Sequence, residues 1–191
     1  MTRQRLLFYG VIGLIAFSIV YGLLFSFLWD PYAARSSSTR INHPVLGISI
    51  LQPGGSRVAD RVTDPGGRQG VILIDLVEQV RNTAFIHASL AIERAQNDDA
   101  VRTCTLVAKG ETEGLTHTLS GRAFTEFSST GYDKGNAFTR RSYRATDGIA
   151  CYIINQVVIW KGQPDYTLRI EQKHSELWGL LDEVMRSIEI S

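Results

Sequence analysis

Residues 136–160 read NAFTRRSYRATDGIACYIINQVVIW, and their reading decides the fold. Asp147-Gly148 is a dipeptide that favours a tight hairpin turn. Asn136–Thr146 and Ile149–Trp160 flank it, and both are rich in residues that suit a pleated surface, so they are predicted as an antiparallel pair. The second segment is apolar at successive positions, which predicts burial on both faces and a place in the middle of a sheet. Upstream, Thr116–Phe127 (THTLSGRAFTEF) alternates Leu119, Ala123 and Phe127 against Arg122 and Glu126, the two-residue period of a half-buried strand. Gly131–Gly135 reads as the loop between these regions.

Further strands are predicted at Gly47–Leu51, Val71–Val77, Ala84–Ile92 and Arg102–Ala108. Turn signals separate them at Gln52–Gly55, Asp64–Gly67 and Asn97–Asp99. Within Ala84–Ile92 the alternation sets Ile86, Ala88, Leu90 and Ile92 against Phe85, His87, Ser89 and Ala91. The period then changes. Leu177, Leu180, Leu181, Val184 and Ile188 are spaced as one face of a helix, with Ser175 available as its N-cap, and Ser187–Ser191 can return as an edge strand. The expected class is α+β: an antiparallel sheet of about six strands covered by a C-terminal helix.

Leu6–Trp29 (LLFYGVIGLIAFSIVYGLLFSFLW) contains no charge, Pro, Asn or Gln. It is long enough to cross a bilayer as a helix, where every backbone polar group must be satisfied within the segment. Aromatic residues flank it, Phe8 and Tyr9 at one end and Trp29 and Tyr32 at the other. The run exceeds the apolar core of a cleaved leader, and Ala33-Ala34 makes a poor cleavage site after Pro31-Tyr32. The predicted organisation is a short basic tail at 1–5, a single transmembrane helix at 6–29, a polar linker at 30–43 and one globular domain at 44–191. Arg3 and Arg5 next to the membrane place the N-terminus in the cytoplasm and the domain outside it. Ser18, Gly22 and Ser26 form a small-residue stripe that would let two such helices pack closely into a homo-oligomer, although small residues are common in such helices anyway.

Charge excludes one class of partner. The chain carries 20 Lys and Arg against 19 Asp and Glu, a formal net of +1. Setting aside the segment before Asn42, with Arg3, Arg5, Arg35, Arg40 and Asp30, leaves the remainder slightly acidic, so nucleic acid is not an expected partner.

Four features together resemble the Mog1/PsbP/DcrB-like α/β sandwich family. They are the opening strand that ends in Pro-Gly (GISILQPGG), the central run of antiparallel strands, the pair YRATDGIACYII at Tyr143–Ile154, and the terminal LLDEVMRSIEI. The match covers roughly Val45–Ser191. It implies an α/β sandwich and a binding or assembly role, and carries no shared catalytic residues. The chain departs from the family in lacking an evident helix in the first half of the domain.

Few residues point to chemistry. Cys104 and Cys151 are the only cysteines. Outside the cytoplasm they could bond and close a long loop; otherwise they are two buried thiols. Their spacing suits neither a redox CxxC nor a zinc site. His43, His87, His117 and His174 show no metal-ligand spacing, and neither metal nor cofactor is expected. There is no nucleophile elbow, P-loop or dinucleotide fingerprint. Arg122, Arg140, Arg141 and Arg144, with Phe124, Phe138 and Tyr143 interleaved, could form a basic, aromatic docking surface for an acidic partner or lipid headgroups; the plainer reading is a solvated strand face with Glu126 as a cross-strand partner. These features predict a non-catalytic, membrane-anchored envelope protein that binds a partner protein or ligand. The alternatives are an anchored hydrolase or thiol enzyme using Cys151 or His87, or an accessory subunit of a membrane complex.

Overall fold

The computed structural model describes residues 38–44, 46–62, 70–161 and 168–191. Seven strands form one antiparallel sheet: β3 (Arg57–Val62), β4 (Gly70–Asp75), β5 (Phe85–Ala95), β6 (Thr112–Leu119), β7 (Arg122–Asp133), β8 (Asn136–Thr146) and β9 (Cys151–Lys161). Their spatial order is β3-β4-β5-β9-β8-β7-β6, with β9 in the centre, as its doubly apolar sequence predicts. A second, three-stranded sheet has the order β1-β2-β10, from β1 (Thr39–His43), β2 (Ile48–Gln52) and β10 (Glu189–Ile190). The sheets are therefore two rather than one of about six strands. Two short helices, α1 (Val77–Val80) and α2 (Asp98–Thr103), interrupt the strands, and α3 (Leu168–Arg186) covers one face.

The core lies between α3 and the large sheet. Leu177, Leu181, Val184 and Ile188 are buried there as the helical spacing predicts, joined by Trp178 and Met185. They meet Ile72, Ile74, Leu90, Ile92, Ile154 and Val158, which alternate along β4, β5 and β9. Leu46, Ile48 and Ile50 bring the small sheet into the same core. Helix α3 begins at Leu168, so Ser175 lies inside it and is not the cap.

Several predicted elements differ. Thr39–His43, expected as the end of the linker, pairs with β2 from Thr39↔Gln52 to His43↔Ile48. Edge strand β3 carries Arg57, Asp60 and Arg61 beside Val58, which packs against the core, so its sequence reads as a polar loop. Asn97 caps α2 by accepting from Ala100 N at 2.7 Å; α2 takes Arg102 and Thr103 from the strand expected at Arg102–Ala108, and the rest of that span is turn and irregular chain. Thr116–Phe127 is two strands, because Ser120 (φ 49°) and Gly121 (φ 74°) make a two-residue hairpin turn. A bulge between Phe85 and His87 reverses the predicted faces at the start of β5: Phe85 is buried and Ile86 is exposed. Among the described residues no helix is long and apolar enough to cross a membrane; the run at 6–29 and its Ser18/Gly22/Ser26 stripe lie outside them.

Candidate functional site

Strand register divides the polar residues between the two faces of the large sheet. Arg141, Tyr143 and Ala145 of β8 lie opposite Gln156, Ile154 and Tyr152 of β9, on the face covered by α3. Arg140, Ser142 and Arg144 alternate with them and point to the other face. The predicted basic surface is thus split: Arg122, Arg141 and Tyr143 on the helix side, Arg140 and Arg144 on the open side.

On the helix side the charges are internally paired. The Arg141 guanidinium stacks over the Trp178 ring at 4.3 Å, with Nη1 3.8 Å from Asp182 Oδ2. Arg122 lies over the Tyr152 ring at 4.8 Å and donates to Asp147 Oδ2 at 2.7 Å. Tyr143 is buried; burial first, then the Glu126 charge, push its hydroxyl up to about 12, so it stays protonated. His117 Nε2 sits 2.8 Å from Glu126 Oε2, so Glu126 partners a histidine of neighbouring β6 rather than an arginine. Gln156, fully buried, donates to Asp182 Oδ1 at 3.1 Å.

The open face is organised by one carboxylate. Glu111, its side chain 1% exposed, accepts from Ala108 N at 2.9 Å, from Arg140 Nη2 at 3.1 Å and from Arg144 Nη2. Burial acts to raise its pKa, but the Ala108 N–H and the Arg144 and Arg140 guanidinia outweigh it and hold the carboxyl below its ordinary value. Arg144 also donates to Leu106 O at 3.0 Å and lies over the Phe127 ring at 4.6 Å. These bonds pin the segment from Cys104 to Glu111 against β8. A disulfide ties its other end: Cys104 and Cys151 are bonded, with Cα atoms 5.6 Å apart.

Beside this segment is a groove of about 490 Å³. Lys109, Ser129 and Arg140 line it, and Phe138, Val157 and Ile159 supply apolar surface; Asp133 and Asn136, at the β7–β8 turn, line it too. The Phe138 ring folds across Gly131 of β7, where a Cβ would come within 3.0 Å of Phe138 Cζ. The Ser129 hydroxyl is shielded from solvent and has no hydrogen-bond partner among the described residues. Arg140 spends only Nη2 on Glu111, which Arg144 already neutralises.

The two residues proposed for an enzyme are Cys151 and His87. Cys151 is committed to the bridge. His87 Nδ1 lies 3.4 Å from Asp75 Oδ1, and the serine on the same strand face, Ser89, is 5% exposed. His43 pairs with Asp60 at 3.3 Å. His174 accepts from Trp178 Nε1 at 3.0 Å, and burial, then Arg141, lower its pKa. Among the described residues no group of three or more His, Cys, Asp or Glu side chains could hold a metal ion. The groove residues Lys109 and Ser129 carry no signal of their own in the sequence, and nothing there shows that Glu111, two positions beyond Lys109, is buried and holds the loop.

No protein-family model and no curated protein matches the chain. Among solved structures it is similar to a crystal structure from Bacteroides thetaiotaomicron VPI-5482, at 11% identity and a TM-score of 0.47. That likeness covers 80% of this chain and 48% of the other, so the chain spans about half of that protein's length. It is also similar to LpqN, involved in cell envelope biogenesis of Mycobacterium tuberculosis, at 12% identity and a TM-score of 0.34, over 81% of this chain and 91% of LpqN.

Proposed function

We propose that this protein is a non-catalytic envelope component: an extracytoplasmic domain, of the Mog1/PsbP/DcrB-like kind, held at the membrane by the helix at 6–29 and binding a partner protein or ligand. The Cys104–Cys151 bridge carries this reading. It consumes both cysteines of the chain, as suits an oxidising compartment, and removes the thiol that a cysteine nucleophile would need. The apolar run with Arg3 and Arg5 before it supports the same orientation. Attachment of the domain by lipid-spanning residues also supports a role as an accessory subunit, with Ser18, Gly22 and Ser26 as the contact between helices.

Native membranes containing the full chain test the reading. The protein is expected to stay in the pellet after carbonate extraction, and its cysteines to resist alkylation until a reductant is added. A carbonate-soluble protein, or two thiols that alkylate without reduction, would overturn it.

A further inference from the structure

We propose that the open face of the seven-stranded sheet binds a short carboxylate ligand with an aryl or alkyl body, seated in the groove between Lys109, Ser129 and Arg140. The inference rests on the binding role proposed above and names the ligand class.

Three observations converge. First, the groove is positive at one end: Lys109 and Arg140 line it, while the nearby Glu111 is already engaged by Arg144 and by Ala108 N. Nε and Nη1 of Arg140 have no hydrogen-bond partner among the described residues, and a planar carboxylate is the group a guanidinium fork fits best. Second, Ser129 is the cross-strand partner of Arg140, and its shielded hydroxyl is unsatisfied among the described residues. Ser129 thus adds a polar residue at the Arg140 end of the groove. Third, the surface beyond Arg140 is apolar and short. Arg140 lies abreast of Val157, and Phe138 abreast of Ile159, one repeat of the same face further on, about 7 Å along the strand. Asp133 and Asn136 then close the far end, which limits the body to about one ring or a few carbons. The volume lies within the few hundred cubic ångströms usual for small-molecule sites. The site is also rigidly held, because Glu111 and the disulfide fix the loop that brings Lys109.

The test is a titration of the oxidised full chain, methyl-labelled at Ile and Val, in an uncharged detergent. The probes are 4-phenylbutyrate and the uncharged 4-phenylbutanol. The acid is expected to shift the Val157 and Ile159 methyl signals saturably, and the alcohol to bind at least tenfold more weakly. Arg140→Gln should weaken the acid about tenfold and leave the alcohol unchanged. Because Arg140 also holds Glu111, the exposed Lys109→Gln serves as a second variant, with an expected loss of twofold or more for the acid only. Equal binding of acid and alcohol, or methyls of Val71 moving as much as those of Val157, would overturn the site. Carbonate extraction of the same membranes reads the anchoring separately. Silent Val157 and Ile159 signals in a protein that stays in the pellet therefore defeat this inference and not the reading beneath it.

Discussion

At the residue scale, charge means little until its partner is known. Four arginines within 23 positions look like one basic patch in the sequence, yet register sends them to opposite sides and gives each a ring, a carboxylate or both. Asp147 shows how a turn residue can set acid stability. Its carboxylate accepts from Ala150 N at 2.8 Å and from Ile149 N at 3.0 Å, and Arg122 sits beside it. The Ala150 bond foremost, against the opposing effect of burial, lowers its pKa from 3.8 to about 2. A depressed folded-state pKa stabilises the fold fully above the unfolded value, and that stabilisation is lost as pH falls from 3.8 through about 2. Asp147→Asn keeps the acceptor oxygen and cannot titrate. Urea midpoints measured at pH 5, 3 and 2 should therefore fall less steeply in this variant than in the parent protein; identical slopes would show that the turn makes no such contribution. A turn was legible from Asp147-Gly148, but not that it extends through Ile149 and Ala150 to pair Thr146 with Cys151, nor its charge partner Arg122, 25 positions away.

At the element scale, local chemistry was readable where it acted alone. The central position of β9 follows from its continuous apolar run, and the buried face of α3 from apolar spacing that repeats at 3.6 residues. Failures came where one residue changes the count. The bulge at Phe85/His87 exchanges the faces of Phe85 and Ile86, and Ser120-Gly121 divides a single alternating run into β6 and β7. Cys104, Leu106 and Ala108 alternate like a strand, yet Asn97 and the two aspartates after it cap a helix just before them. The covalent link between α2 and β9 compensates for the sparse packing of that segment, where Leu106 and Val107 are exposed. Replacing both cysteines by serine should lower unfolding stability by about 2–4 kcal/mol, since the bridge closes a sequence separation of 47. Hydrogen exchange should then accelerate at 104–111 while β9 remains protected. Uniform acceleration across the sheet would argue against a local clamp.

At the scale of the whole molecule, the ends of the domain meet. β10 pairs with β2, Ser187 Oγ accepts from Leu51 N at 2.9 Å, and Ser191 N donates to Gly47 O at 2.9 Å. Gly47 turns there with φ 64°, and a Cβ would come within 2.8 Å of Ser191 Oγ. Ile50, fully buried, joins the small sheet to the core beneath α3. Ile50→Ala should cost about 2–4 kcal/mol, with tryptophan fluorescence and far-ultraviolet dichroism unfolding in one transition. Two separate transitions would mean that the small sheet is not part of the same cooperative unit. The sequence by itself determined the α+β class, the terminal helix and its buried face, the central strand, and the apolar run at 6–29, because each depends on a periodicity or composition within one contiguous segment. Only the tertiary structure decided that there are two sheets, that the arginines part company, that Cys104 reaches Cys151 and that Glu111 organises a groove. Those outcomes depend on which distant segments become neighbours, and alternation along a strand says which side chains share a face without saying what that face will meet.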